Sequence, residues 1–490
     1  MEQYLQIHPA DNVAVALQPI SHGMVVAGVT VLEDIPQGHK LALCPIRTGE
    51  SIIKYGFPIG HATTDIAAGA WVHTQNMATN LSGTVDYTYT PQNAPLPPEQ
   101  PRHFQGYRRP DGRAATRNEI WILPTVGCVN DVAKALAREN QNIVTGTIDG
   151  LYAFCHPFGC SQTGADHAQT RKMLAALANH PNAAAVLVLG LGCENLTQEQ
   201  FRQELGAFDP ERIQFLVCQT VEDELLAGRA ALERCAAYAA QFHRTEIPVS
   251  ELVIGMKCGG SDGLSGITAN PVVGRFSDHL VAQGGTSILT EVPEMFGAEG
   301  MLLNRCANEV VFGKAVQMLD GFKNYFLQHG EVVYENPSPG NKAGGITTLE
   351  DKSCGCVQKG GSAPIVDVLD YGAQVQKRGL QLLNGPGNDM VSATALTAAG
   401  AHIIMFTTGR GTPFGAPAPT MKLATNSHLA AQKPGWIDFN AGTVADGTKT
   451  LEQSAADLMQ LVLDVASGKL TKSEAGGFRE ISIFKDGVTL

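Results

Sequence analysis

The chain has 490 residues, of which 44% are hydrophobic and 17% charged, so it is long enough for several domains and does not have the composition of a disordered protein. Its formal net charge is -12 and it has no run of basic residues, which argues against a nucleic-acid-binding surface. The longest strongly apolar run, residues 183–191, is far shorter than the roughly 20 residues of a membrane-spanning helix, so no membrane association is expected.

The first part of the chain, residues 1–83, predicts a small all-β module. Four isoleucines are each followed three residues later by a glycine, and then by the start of an apolar strand: Ile20 and Gly23, Ile35 and Gly38, Ile46 and Gly49, and Ile66 and Gly69. Each unit is typical of an apolar anchor, a turn in which glycine adopts a positive φ, and a strand. His73 lies near the end of the last of these strands and is a candidate base.

Residues 84–106 predict a linker, because five prolines in a polar stretch favour an extended chain. Two α/β portions then follow, at residues 107–248 and 249–490. Their strands, such as residues 120–124, 184–190 and 402–407, are apolar without polar alternation and are separated by helical segments. This pattern predicts mostly parallel sheets covered by helices on both faces. Residues 335–358 predict a long loop, a feature that is often functional.

Polar and glycine-rich loops follow several of the predicted strands, and parallel α/β sheets bind ligands beyond the carboxyl ends of their strands. The loop from Cys258 carries Ser261 and Asp262 among several glycines, which allow close backbone approach to a ligand. Lys342 and Arg410 lie in other glycine-rich loops and are candidates for binding a carboxylate. Surface charge is the alternative for both.

Five cysteines lie beside a glycine at a predicted strand end or in the long loop: Cys128, Cys160, Cys193, Cys258 and Cys356. Thiolates bind iron or zinc, and a nearby histidine makes a mixed site, for which His156 and Cys160 are the nearest pair in sequence. Each cysteine taken alone is also consistent with a small buried hydrophobe. The odd total of eleven cysteines does not resemble a disulfide framework and predicts a protein of the reducing cytoplasm.

Several long motifs resemble the altronate/galactarate dehydratase family, and together they cover essentially the whole chain. They are Ile-Lys-Tyr-Gly-Phe-Pro-Ile-Gly at 53–60, Leu-Pro-Thr-Val-Gly-Cys-Val-Asn at 123–130, Gly-Leu-Gly-Cys-Glu-Asn at 190–195, and the segments 258–271, 290–299 and 335–350. The resemblance implies an amino-terminal SAF-like β-clip domain and a large catalytic portion. It also implies a lyase of hexuronate catabolism that converts D-altronate to 2-dehydro-3-deoxy-D-gluconate and water with Fe²⁺, for which Mn²⁺ is a possible substitute.

This reaction needs a base for the C2 proton, a cation on the carboxylate and an acid for the departing C3 hydroxyl. The hypothesis assigns catalysis to His73, His167 and Lys342, substrate binding to Ser261, Asp262, Asn341 and Arg410, and metal binding to Cys160, Cys193 and Cys258 with His156 in reserve. The expected partner is a small sugar acid, and a homo-oligomer is possible. Galactarate or sulfolactate as substrate, an aconitase-like hydratase with an iron–sulfur cluster, and a non-catalytic sugar-acid-binding protein remain as alternatives.

Overall fold

The computed structural model describes residues 3–81 and 86–490. Within these residues no helix is both long enough and apolar enough to cross a membrane. Three regions follow one another along the chain: a β module, a small α/β region and a larger α/β region. The boundary predicted between residues 83 and 84 lies outside the described residues.

The β module consists of nine short strands that form three small antiparallel sheets. The strands are β1 (Tyr4–Leu5), β2 (Val13–Ala16), β3 (Val25–Val26), β4 (Val29–Thr30), β5 (Lys40–Ala42), β6 (Ser51–Lys54), β7 (Phe57–Ala62), β8 (Trp71–Val72) and β9 (Met77–Ala78). The four repeated isoleucines form two antiparallel bridges, Ile20 with Ile35 and Ile46 with Ile66. The four glycines that follow them have φ between 80° and 85°, so the predicted turns and the all-β module are confirmed.

Residues 86–102 contain no helix or strand, but they are bound to the larger α/β region. The Tyr89 hydroxyl donates to the Cys306 carbonyl oxygen at 2.6 Å, and the Gln92 and Glu99 amides donate to the carbonyls of Asn304 and Ala282. Strand β10 begins at His103, within the segment predicted as a linker. It forms there because it pairs with residues 244–248, which are distant in sequence.

The small α/β region has a four-stranded parallel sheet in the order β13-β12-β14-β15. Strand β10 pairs antiparallel with β11 and β16 in a separate sheet. The elements in chain order are β10 (His103–Arg108), β11 (Ala114–Ala115), β12 (Glu119–Pro124), α1 (Asn130–Glu139), β13 (Gly150–Ala153), α2 (Gly164–Ala178), β14 (Ala183–Gly190), α3 (Gln198–Leu205), β15 (Ile213–Val217), α4 (Glu224–Ala239) and β16 (Arg244–Pro248).

The larger α/β region is built on a seven-stranded parallel sheet in the order β19-β20-β18-β17-β21-β22-β23, which confirms the predicted parallel architecture. Strand β17 lies at its centre. The elements are β17 (Val253–Cys258), α5 (Ala269–Ala282), β18 (Thr286–Leu289), α6 (Glu299–Leu303), α7 (Glu309–Gln328), α8 (Pro339–Ala343), α9 (Leu349–Cys356), β19 (Ile365–Leu369), β20 (Gly379–Leu383), α10 (Asp389–Ala398), β21 (Ile403–Thr408), β22 (Thr420–Ala424), α11 (Ser427–Gln432), β23 (Phe439–Asn440), α12 (Leu451–Ala466) and α13 (Lys472–Ala475).

The prediction of one long loop over residues 335–358 is wrong, because this segment contains helices α8 and α9. Ser338 caps α8 by accepting the Asn341 amide, and Thr348 caps α9 by accepting the Asp351 amide. Hydroxyl caps of this kind start short helices. Here they do so despite a sequence dense in glycine and proline.

Candidate active site

The central strand β17 delivers Lys257 and Cys258 to the carboxyl edge of the large sheet. The loop that follows turns sharply at Gly260, which has a φ of 63°. The Gly263 amide donates to the Gly344 carbonyl at 2.7 Å, and a β-carbon on Gly263 would lie 1.8 Å from the carbonyl oxygen of Gly38 in the β module. Glycine is therefore required for the β module to approach this edge.

Two thiols and one carboxylate, those of Cys258, Cys356 and Glu294, are in mutual contact where β17 ends and this loop begins. The Cys258 sulfur lies 3.3 Å from the Cys356 sulfur and 2.9 Å from Glu294 Oε2, and Cys356 lies 3.2 Å from the same oxygen. Cys356 comes from α9 and Glu294 from the short 3-10 turn Val292–Met295. Over residues 3–81 and 86–490, this is the only group of three or more His, Cys, Asp or Glu side chains whose ligand atoms all lie within 4.8 Å of one another.

Three buried lysines surround this thiol–carboxylate cluster, which we define as Cys258, Glu294 and Cys356. Lys352 Nζ binds Glu294 Oε1 at 2.6 Å, while Lys257 binds Glu291 at 3.0 Å and Lys359 lies 3.8 Å from the same Glu291 carboxylate. Burial by itself raises the pKa of Glu294, but Lys352 and Lys359 outweigh burial and lower that pKa to about 2. Glu294 is therefore ionised, as a metal ligand must be.

Residue Glu291 is held in a left-handed backbone conformation with a φ of 71°. Such a φ is uncommon for a residue other than glycine and carries strain that the surrounding contacts must compensate. Glu291 Oε2 accepts the backbone amide of Cys258 at 2.8 Å, while Oε1 accepts from Lys257. These bonds fix the Cys258 backbone beside the other two members of the cluster.

The thiol–carboxylate cluster fits a divalent metal ion. The neighbouring Cys356 sulfur, to which Cys258 hydrogen-bonds, and then burial raise the pKa of the Cys258 thiol well above its ordinary value, so this thiol is protonated in the absence of a metal. A divalent ion that takes the place of the Cys258 proton compensates the negative charge of the thiolate in this buried site. Thiolates and a carboxylate are also suitable ligands for iron.

The β module contributes charged and aromatic side chains to the same edge. Lys40 and Lys54, both fully buried, bind the two carboxylate oxygens of Asp351 at 2.7 and 3.0 Å. Asp351 lies on α9, the helix that carries Cys356, so the ion pairs attach the β module to the helix that positions this thiol. The Thr347 hydroxyl accepts from Lys40 at 2.8 Å and lies 3.0 Å from His73 Nδ1.

His73 is the predicted base that lies at this interface. Its ring is stacked on Trp71 and packs edge-on against His39, with centroids 5.6 and 5.0 Å away. Burial, followed by the charge of Lys40, lowers the pKa of His73 to about 4. The imidazole is therefore neutral at pH 7 and able to accept a proton. Lys342, the second predicted catalytic residue, lies on α8 and its charge also lowers the pKa of His73.

The four residues predicted to bind substrate are neighbours around the β17 loop. The Asn341 side-chain amide donates to the Ser261 carbonyl at 2.8 Å, and Arg410 donates to the Gly340 carbonyl at 2.9 Å. Asp262 and Arg410 line one cavity of about 350 Å³. Asp262 and Ser261 also line a cavity of about 10 Å³ that reaches Lys352 and Cys356, with room for about one water molecule.

The structure does not bring the four predicted metal ligands into one group. Cys160, Cys193 and His156 lie in the small α/β region, whereas Cys258 belongs to the large sheet. His156 Nε2 lies 2.8 Å from the Pro124 carbonyl oxygen and Nδ1 accepts the Phe158 amide at 3.1 Å, so both ring nitrogens already bind backbone. His167, the third predicted catalytic residue, lies on α2 of the small region, where the Asn195 backbone is a hydrogen-bond partner of its ring.

Sequence reasoning did not identify the three buried lysines, Lys257, Lys352 and Lys359. The available signal was Lys257 itself, a charged residue at the end of an otherwise apolar strand that must be paired when buried. Cys356 was one of the five glycine-flanked cysteines, but its contact with Cys258 and Glu294 depends on α9 and the turn after β18.

Three family models match successive parts of this chain. The first is described as the altronate/galactarate dehydratase SAF domain and matches residues 2–80. The second, the second domain of D-galactarate dehydratase/altronate hydrolase, matches residues 106–240, and the third, the C-terminal part of D-galactarate/altronate dehydratase, matches residues 249–489. The chain belongs to the altronate/galactarate dehydratase family.

Individual family members match along the whole chain. The chain is 52% identical to altronate dehydratase of Escherichia coli (strain K12) and 50% identical to altronate dehydratase of Bacillus subtilis (strain 168), in each case over 100% of both chains. It is 35% identical to galactarate dehydratase (L-threo-forming) of E. coli over 95% of this chain and 93% of that protein. The β module is thus the SAF domain of this family.

Proposed function

We propose that this protein is an iron-dependent altronate dehydratase, which converts D-altronate to 2-dehydro-3-deoxy-D-gluconate and water. The main support for this proposal is that the chain is 52% and 50% identical in sequence, over full length, to two altronate dehydratases. The thiol–carboxylate cluster and the buried lysines at the edge of the large sheet support a site for a metal and an anionic substrate. All eleven cysteines are free, which supports a reducing, cytoplasmic setting.

Iron in the thiol–carboxylate cluster would supply a Lewis acid for the carboxylate and a hydroxyl of the sugar acid. Arg410, which lines the 350 Å³ cavity, contributes positive charge for the substrate carboxylate. Lys342 adds to that charge from helix α8, to which Arg410 is hydrogen-bonded at Gly340. The buried Ser261 hydroxyl has no hydrogen-bond partner within the described protein, which supports a direct contact with a substrate hydroxyl.

Proton transfer is assigned to the SAF domain side of the site. His73, with its Nδ1 proton donated to Thr347, accepts the C2 proton at Nε2. Lys40 donates to the same Thr347 hydroxyl, and burial, opposed by Asp351, lowers the pKa of Lys40 to about 8. An ammonium group of this acidity lies next to the base. It is a suitable general acid, which donates the proton that the departing C3 hydroxyl needs.

Substrate identity is tested with anaerobically iron-loaded protein offered D-altronate, galactarate and (2R)-sulfolactate, with formation of 2-keto acid or sulfite as the readout. We expect kcat/KM for D-altronate to exceed that for the other two by at least about 100-fold, since a site built to bind one substrate hydroxyl rejects an analogue that lacks it by about 10⁴-fold or more. A chelator-treated sample is the control. Preference for galactarate or sulfolactate would contradict the proposal, and binding of D-altronate without turnover by iron-loaded protein would indicate a binding protein instead.

The role of His73 predicts an unusual pH profile. Because the pKa of His73 is about 4, kcat/KM should stay level down to about pH 5 and fall only below it. His73→Gln should lower kcat/KM by about 100-fold or more, whereas His61→Gln, in the same domain and bound to Asn80, should not. A midpoint near pH 6.5, or full activity of His73→Gln, would rule out His73 as the base.

Arg410 is expected to act mainly in substrate binding. Arg410→Met should raise KM about 10- to 100-fold, the usual loss for one charge-assisted hydrogen bond, with a smaller change in kcat. Arg378→Met is the matched control, because Arg378 is exposed and lines a different cavity. Equal effects of the two substitutions on KM would show that Arg410 has no specific contact with substrate.

A further inference from the structure

The carboxyl edge of the four-stranded sheet carries three exposed cysteines that the proposed reaction does not use. Cys128 follows β12, Cys160 follows β13 and Cys193 follows β14, and all three are free and exposed. Strand β12 lies between β13 and β14, so the three loops are neighbours on strands spaced about 4.8 Å apart. We name this edge the three-cysteine edge.

The loops that carry these cysteines are fixed to one another by backbone contacts. The Gly127 amide donates to the Phe158 carbonyl at 2.9 Å, and the Leu196 amide donates to the Gly159 carbonyl at 3.1 Å. A β-carbon on Gly159, whose φ is 104°, would lie 1.9 Å from the Thr125 carbonyl oxygen. These contacts involve the residues that adjoin Cys128 and Cys160 and a residue three positions from Cys193, so the three loops are held together.

Unpartnered polar atoms are concentrated at the same edge. Asn130 Oδ1, His167 Nε2 and Gln198 Nε2 are buried and have no hydrogen-bond partner in the described part of the chain. These residues belong to the first turns of α1, α2 and α3, the helices that follow the three cysteine loops. Buried polar atoms are almost always hydrogen-bonded, so three in one place indicate a ligand at this edge.

The amino-terminal ends of three helices lie beside the cysteine loops. Helices α1, α2 and α3 have 10, 15 and 8 residues and all begin at the three-cysteine edge. The positive ends of helix dipoles favour a bound group with net negative charge. The site therefore combines three sulfur ligands with unpaired donors and acceptors around them.

The spacing of the sulfurs distinguishes a single ion from a cluster. A tetrahedral ion with metal–sulfur bonds of about 2.3 Å needs sulfurs about 3.8 Å apart. No group containing these three cysteines has its ligand atoms within 4.8 Å among the residues described, so they are too far apart for one ion. We propose that Cys128, Cys160 and Cys193 bind a [4Fe–4S] cluster whose fourth iron has no protein ligand and faces solvent.

Insertion of such a cluster requires only ligand exchange. Each of three iron–thiolate bonds to a small thiol is replaced by a bond to a cysteine sulfur, and the small thiol leaves with the proton of that cysteine. Iron and sulfide keep their oxidation states, so no oxidant or reductant is needed. A synthetic [4Fe–4S] cluster that carries four small thiolate ligands is therefore a suitable donor.

The test incubates anaerobic full-length protein with this donor, removes the excess and measures bound iron, acid-labile sulfide and the broad absorbance near 400 nm. We expect about four iron and four sulfide per chain, and a fall of at least tenfold in the triple variant Cys128→Ser, Cys160→Ser, Cys193→Ser. Cys44→Ser, which replaces an exposed cysteine of the SAF domain, should keep the cluster. Thermal unfolding and circular dichroism verify that the triple variant is folded.

A wild-type protein that takes up no sulfide, or a folded triple variant that retains the cluster, would overturn the inference. Uptake of one iron without sulfide at these cysteines would overturn it equally. The result is independent of the proposed dehydratase site, because Glu294→Gln should leave the cluster content unchanged. Failure of the altronate assay alone therefore does not affect this inference.

Discussion

Glu294→Gln is expected to lower kcat for D-altronate by roughly 1000-fold, equal to about 4 kcal/mol, and to remove iron from the thiol–carboxylate cluster. Glutamine has nearly the same shape, but it lacks the negative charge that binds the metal and pairs with Lys352 at 2.6 Å. The change thus leaves three lysines beside the cluster with one carboxylate fewer. Steady-state kinetics and iron content of anaerobically purified protein measure both effects.

Glu299→Gln is the matched control for this substitution. Glu299 also forms a buried ion pair, with Lys323 at 2.9 Å, and it lies only five residues further along the chain, outside the thiol–carboxylate cluster. We expect it to lower the free energy of unfolding to a similar extent but to leave kcat within about threefold of wild type. Similar losses of kcat in the two variants would mean that Glu294 acts through stability rather than through the metal.

Asp351→Asn is expected to give the largest loss of stability, about 3–5 kcal/mol, because it leaves the buried ammonium groups of Lys40 and Lys54 without a counter-ion. The effect should appear in urea unfolding at pH 7 as a lower midpoint concentration of urea. We expect the SAF domain to separate from α9 before the rest of the chain unfolds. Asp367→Asn is the matched control, since Asp367 also binds two lysines, at 2.8 and 2.9 Å, but those lysines are half exposed. Its loss should stay below about 1 kcal/mol.

The same ion pairs predict a pH dependence. Although burial opposes ionisation, Lys40 and Lys54 hold the pKa of Asp351 well below its ordinary value. A depressed carboxyl pKa contributes stability that is complete above the unfolded pKa of about 3.9 and is lost as the pH falls below it. The difference between wild type and Asp351→Asn should therefore shrink between about pH 4 and pH 2. A difference that is constant over this range would contradict the ion-pair explanation.

The sequence was sufficient for the architecture because local patterns determine it. Apolar strands without alternation predicted both parallel sheets, and the isoleucine–glycine spacing predicted turns that the structure has, with Gly69 fitted so closely that a β-carbon would lie 2.0 Å from the Thr30 carbonyl oxygen. Helices α8 and α9 were missed because their capping hydroxyls, Ser338 and Thr348, stand among glycines and prolines that usually indicate a loop.

The candidate site was only partly predictable, for a topological reason. Ser261, Asp262 and Arg410 were identified from glycine-rich loops that follow strands of one sheet. Asn341 came from the glycine-rich segment that forms α8, and all four residues lie at the edge of that sheet. Cys160 and Cys193 occupy equivalent positions after strands of a different sheet. The composition of a loop does not show to which sheet the preceding strand belongs. Contacts such as those of Lys352 with Glu294 and of Lys40 with Asp351 join segments 58 and 311 residues apart, which no local pattern predicts.

Anomalous diffraction at the iron absorption edge, from crystals of anaerobically iron-loaded protein grown with D-altronate, would locate the metal and the substrate in one experiment. We expect an iron peak bound by Cys258 Sγ, Glu294 Oε2 and Cys356 Sγ, with the sugar-acid carboxylate on the side of Arg410. Any iron at the three-cysteine edge would appear as a separate peak. Iron and substrate found together elsewhere, with Cys258 and Cys356 free of metal, would contradict this expectation.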